Sequence, residues 1–126
     1  MVKKIESMLL SSANPTRLAK FYESIGVKIS QEWEMGDNGE SAYEMKLPSG
    51  SGFYINPHSK VNGRTKEPYR LMLNFEVDDI KSAVKKLKSQ DVRTVADVYH
   101  MQEYGWIATF ADPDGNYFQL VQVRAK

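Results

Sequence analysis

The sequence has no cysteine among its 126 residues. That absence excludes disulfides, thiolate nucleophiles and cysteine-ligated zinc. It has only two histidines, His58 and His100, too few for a histidine-rich metal centre. An excess of charge of either sign is also missing, since 17 Lys and Arg stand against 16 Asp and Glu, a formal charge of +1. So balanced a chain offers no basic stripe for neutralising phosphates, and nucleic acid is not expected as a partner. Long apolar runs are absent too. In the N-terminal stretch MVKKIESMLLSS the longest run, Met8 to Leu10, falls far short of a signal h-region or a membrane span. A cytoplasmic protein with no membrane partner is expected. What is present, 41% hydrophobic and 11% aromatic residues, is enough to bury the core of one domain covering 1–126.

The chain repeats itself. Setting Leu47-Pro48-Ser49-Gly50 against Asp112-Pro113-Asp114-Gly115 fixes an offset of 115 − 50 = 65. The same offset pairs Phe53 and Ile55 with Phe118 and Leu120, Val27 with Val92, and Met8 and Leu10 with Leu73 and Phe75. Each copy then reads as strand, helix and three more strands, with module one at about 1–56, a linker at 57–69 carrying Pro57, Asn62, Gly63 and Pro68, and module two at about 70–126.

The first helix is marked by Asn14 as N-cap, Pro15 at its first position, apolar Leu18, Phe21, Tyr22 and Ile25, and Gly26 as the left-handed residue beyond its end. In the second copy Asp79 is the matching cap. Ile80, Ala83, Val84 and Leu87 repeat the stripe while Lys81, Lys85, Lys86 and Lys88 face water. Alternation is clearest where Leu71, Leu73, Phe75 and Val77 oppose Arg70, Met72, Asn74 and Glu76. Turns are expected at Gly36-Asp37-Asn38-Gly39, Pro48-Ser49-Gly50 and Pro113-Asp114-Gly115.

The fold class that follows is α+β, two tandem βαβββ modules forming a curled mixed β-sheet with helices on its convex side. One helix per module cannot cover both sheet faces. The concave face is therefore the expected ligand face.

Phe21-Tyr22-Glu23-Ser24-Ile25-Gly26 after Asn14-Pro15, and the run from Tyr104-Gly105-Trp106 through Phe110-Ala111-Asp112-Pro113-Asp114-Gly115-Asn116-Tyr117-Phe118-Gln119-Leu120, resemble the glyoxalase, bleomycin-resistance and extradiol dioxygenase superfamily, the vicinal oxygen chelate proteins. The likeness runs in order along nearly the whole chain. It implies that metal-using members hold a divalent ion with one residue from the first and one from the last strand of each copy. Seven residues before the caps Asn14 and Asp79 those positions fall on Ser7 and Met72, and in the last strands on Tyr54 and Gln119. Divalent ions need imidazole or carboxylate at most such positions, so Ser, Met, Tyr and Gln imply no bound metal and no cofactor.

Candidates for proton chemistry are few. His58 and His100 lie beside expected strand ends and read as exposed loop residues, with acid/base work as the sharper alternative. Glu44 and Glu76 share a parity that could face the concave sheet, and Glu103 precedes Tyr104; each is weighed as a base against a plain surface glutamate. Glu32, Glu34, Asp37, Glu40 and Glu44 follow one another with no base between them, a locally negative hairpin able to attract a cation. Asp112 and Asp114 belong to a turn and are assigned no chemistry.

Aromatics carry more of the signal. Trp33, Tyr54, Tyr104, Trp106 and Tyr117, with Ser7, Met72, Asn74 and Gln119, make up the expected ligand-binding set, an apolar pocket with a few polar anchors. Trp33 and Trp106 have an alternative as core or dimer-interface fillers. The reading is metal-independent sequestration of a planar or aromatic small molecule, resembling the antibiotic-binding branch of the superfamily. The alternative is a lyase, isomerase or dioxygenase, metal-dependent or using a Glu or His base. A homodimer is expected because the sheet leaves edges unpaired.

Overall fold

The computed structural model describes residues 1–124. The chain divides into two compact units, Met1–Gly63 and Arg64–Lys126. In the first, β1 (Leu9–Ser12) leads into α1 (Pro15–Ser24), followed by β2 (Lys28–Glu34), β3 (Ser41–Lys46) and β4 (Gly52–Pro57). The second holds β5 (Leu73–Glu76), α2 (Ile80–Ser89), β6 (Arg93–Met101), β7 (Gly105–Ala111) and β8 (Tyr117–Val123).

The same local chemistry starts both helices. Asn14 Oδ1 accepts from Arg17 N at 3.1 Å and Asp79 Oδ1 from Ser82 N at 3.3 Å, so each cap satisfies a donor that the helix itself leaves unpaired. At the end of α1, Gly26 N and Val27 N return to Glu23 O and Tyr22 O, with Gly26 at φ +111° where a Cβ would be strained. Residues 15–24 and 80–89 stand 65 positions apart, as do the aligned pairs Leu9↔Tyr54 and Asn74↔Gln119. The sequence repeat is therefore also a repeat of hydrogen-bond register.

Each unit builds its own four-stranded sheet, ordered β1-β4-β3-β2 and β5-β8-β7-β6, in which the outer pairs β1–β4 and β5–β8 are parallel and the rest antiparallel. The two expected βαβββ modules are thus present, each with its own curled mixed sheet, neither of them closed. Helix α1 covers one face of the first sheet, burying Leu18, Ala19 and Tyr22 over Met45, Phe53 and Ile55, with Tyr22 edge-on to Phe53 at 5.4 Å. Helix α2 buries Ile80, Val84 and Leu87 on the face bearing Phe75, Phe110, Phe118 and Leu120.

Three placements differ from expectation. Ser7 and Met72 lie just before β1 and β5 rather than in them. Pairing in unit 1 begins only where Tyr54 N reaches Met8 O, and in unit 2 the chain is still turning at Glu67–Arg70, where Arg70 N bonds Glu67 O. For the same reason Leu71 is exposed instead of continuing the buried face of β5. His100 sits inside β6, in register with Trp106, and not beyond the strand. Among the described residues no helix is long and apolar enough to cross a membrane.

Candidate functional site

The face of the first sheet turned away from α1 carries alternate residues of each strand. Register places Leu9 beside Tyr54, Tyr54 beside Glu44, Glu44 beside Gln31, and Trp33 beside Ala42. A bulge between Ile29 and Gln31 leaves Ser30 over, and that extra residue turns its hydroxyl onto Glu44. Glu44 Oε1 accepts from Ser30 Oγ at 2.7 Å and Oε2 accepts from Tyr54 Oη at 3.0 Å. The Ser30 bond first, then the Tyr54 bond, holds the Glu44 carboxyl below the usual glutamate range, while the carboxylate beside it pushes the Tyr54 phenol up. Trp33 stands edge-on to Tyr54 with ring centres 6.1 Å apart. Next to this cluster is a hollow of about 370 Å³ whose lining includes Glu6, Ser7, Glu44, Lys46 and Tyr54.

Ser30 and Glu6 were not in the expected set. No residue type signals the bulge that aims Ser30, and Glu6 precedes every recognisable element. Glu32, read as part of an acidic hairpin, turns the other way: its Oε2 accepts from Ser41 Oγ at 3.0 Å and Tyr43 Oη at 3.4 Å on the α1 side, where Tyr43 also meets Thr16 at 2.7 Å. The hairpin charges are therefore divided between two faces, because alternate strand residues point oppositely.

In the second unit the corresponding face brings together Asn74 and Gln119 in register, with Thr109 beside Gln119. Gln119 Nε2 donates to Thr109 Oγ1 at 3.0 Å. Tyr117, at the start of β8, meets Tyr69 edge-on at 4.8 Å. Glu76 ends β5 exposed, with Met72 half-buried before that strand.

Trp106 is not on this face. It pairs with Gln122, whose Oε1 accepts from Ile80 N at 2.8 Å, so both lie on the α2 side. The expectation grouped Trp106 and Tyr104 with Tyr54 and Gln119 as one ligand set, but strand parity separates Trp106 from Gln119. Trp106 instead meets His100 at 4.7 Å, near Glu103 and Tyr104 at the β6–β7 turn. His58 follows β4 exposed, its Nδ1 accepting from Lys60 N at 3.1 Å. Asp112 organises its turn, accepting from Asp114 N, Asn116 N and Asn116 Nδ2.

At the four positions marked for a metal the donors do not fit a divalent ion. The Tyr54 hydroxyl is spent on Glu44, and Ser7, Met72 and Gln119 offer only a neutral hydroxyl, a thioether and a neutral amide oxygen. Among the described residues no three His, Asp or Glu side chains gather in a group able to hold an ion. Chemically the first-sheet cluster is an aromatic wall beside a fixed negative charge.

The family described as Glyoxalase/Bleomycin resistance protein/Dioxygenase superfamily matches residues 4–120. No curated protein matches the sequence. Among solved structures, a glyoxylase/bleomycin resistance protein/dioxygenase domain from Frankia sp. EAN1pec is similar with a TM-score of 0.77 at 17% identity, covering 98% of this chain and all of its own. A glyoxalase family protein from Bacillus cereus gives 0.78 at 14% identity, over 99% and 97% of the two chains. The genomically encoded fosfomycin resistance protein FosX from Listeria monocytogenes gives 0.72 at 15%, over 98% and 96%.

Proposed function

This chain belongs to the glyoxalase/bleomycin resistance protein/dioxygenase superfamily, and from that premise we propose that it binds a small planar or aromatic molecule, without a metal, on the first sheet's open face. The observation that carries this reading is the use made of Tyr54. At a position where a metal-holding relative needs a ligand, its hydroxyl serves Glu44 and its ring serves Trp33. The residue thus helps form an aromatic surface for stacking, with Glu44 as a charged anchor beside it.

The enzymatic alternative asks Glu44 to take a proton. Its two hydrogen bonds stabilise the ionised form, which makes it a weaker base than an ordinary glutamate and a better fixed anion. Binding is therefore favoured over proton abstraction.

Protein purified without chelator and analysed for metals tests the metal-free part. The expected content is far below one divalent ion per chain. A stoichiometric ion lost on Gln119→Ala would overturn it. The reading further takes the chain to be a cytoplasmic homodimer, a proposal supported by the edge strands β1, β2, β5 and β6 that each sheet leaves with one partner; light scattering at a single-chain mass would reject the dimer.

A further inference from the structure

The turn between β6 and β7 leaves a second, chemically different hollow, of about 530 Å³. Its floor depends on Gly105. At φ +145°, a Cβ there would run into the Gln122 carbonyl, so glycine is what lets β7 close against β8 at this end. Arg124 N continues the ladder by donating to Tyr104 O at 2.8 Å, and Tyr104 N closes the turn on Met101 O at 3.1 Å. Glu103, at φ +68°, takes up the left-handed conformation that this tight turn demands.

Two kinds of group face the hollow. Trp106 leaves 41% of its surface exposed, and His100 leans on it with ring centres 4.7 Å apart and planes inclined at 52°. On the rim, Glu103 Oε2 and Arg124 Nη1 stand 3.9 Å apart. They form a loose, solvent-exposed ion pair, longer than a hydrogen bond, so each retains hydrogen-bonding atoms for a further partner. An anion alone would be repelled by Glu103, and a cation alone by Arg124. A molecule carrying both charges one carbon apart, with a flat ring attached, satisfies all four residues at once.

We propose that this hollow is a second binding site, for zwitterionic aromatic compounds of the free α-amino acid class. The ring lies against Trp106 and His100, the ammonium meets Glu103 and the carboxylate meets Arg124. The site uses the α2 side of the second sheet and none of the residues of the first-sheet cluster, so it stands or falls apart from that reading.

The test is a nitrogen–proton NMR titration with L-phenylalanine, following the two indole N–H signals of this two-tryptophan chain. Trp33→Phe and Trp106→Phe assign them. The Trp106 signal should move saturably, with an affinity unaffected by Trp33→Phe, whatever movement the Trp33 signal shows for the first sheet. Phenethylamine, which lacks the carboxylate, and 3-phenylpropionate, which lacks the ammonium, should each bind at least about tenfold more weakly. Arg124→Gln should weaken L-phenylalanine by a similar factor and leave phenethylamine no weaker, while Glu103→Gln should do the same for 3-phenylpropionate. The spectra report in every case that the variant is folded. No saturable movement of the Trp106 signal, or equal binding of all three compounds, overturns the proposal.

Discussion

Tyr54 on β4 donates its phenolic hydrogen to Glu44 on the neighbouring strand β3, at 3.0 Å from Oε2. The two are direct cross-strand partners, and Ser30 secures the other carboxylate oxygen from β2. Three adjacent strands thereby fix one negative charge beside two aromatic rings.

Glutamine at 44 reads this charge through pH. The Glu44 carboxyl is held below its ordinary value by Ser30 and Tyr54, so its contribution to stability is present above the unfolded glutamate range and lost as pH falls through the lower folded value. Urea midpoints of wild type and Glu44→Gln should therefore differ at neutral pH and converge on acidification below the ordinary glutamate range. A gap that widens in acid contradicts the assignment.

Phenylalanine at 54 separates the ring from the hydroxyl. Carboxyl-carbon NMR of Tyr54→Phe should place the Glu44 titration higher than in wild type, because one stabilising donor has gone. Binding of an uncharged planar ligand should change little in Tyr54→Phe and fall about tenfold in Tyr54→Ala, the scale of a lost aromatic contact.

Matching caps should give matching losses. Asn14→Ala and Asp79→Ala each remove the capping side-chain acceptor of a helix start, at a cost of about 1 kcal/mol in chemical denaturation.

Asp112 is the costlier turn residue. It is buried and accepts three hydrogen bonds from Asp114 and Asn116, so Asp112→Ala strands these donors and should destabilise by about 2 kcal/mol in thermal or urea unfolding. Ser49, at the matching turn of the first unit, is exposed and should cost much less as Ser49→Ala.

Both helices, their caps and the three turns were legible because each rests on local chemistry: Asn14 and Asp79 as caps, Gly26 as terminator, Pro113-Asp114-Gly115 as turn. The offset of 65 was legible because the two halves keep one register. The bulge at Ser30 was not, since it arises from how β2 meets β3 and not from any preference of serine. Nor was the side taken by Trp106. Its parity depends on where β7 begins, and a shift of one residue moves a side chain to the other face. Ser7 and Met72 were placed in strands by counting back from the caps, although hydrogen-bond pairing there begins one residue later, at Met8 and Leu73.

The central claim is metal-free binding on the first sheet. Its most direct measurement is fluorescence of the Trp106→Phe variant, in which Trp33 alone reports, titrated with planar aromatic compounds in chelator and again with added manganese, nickel or zinc. Saturable quenching of equal affinity in all conditions is the predicted result. No saturable quenching, or quenching that requires the metal, would contradict it.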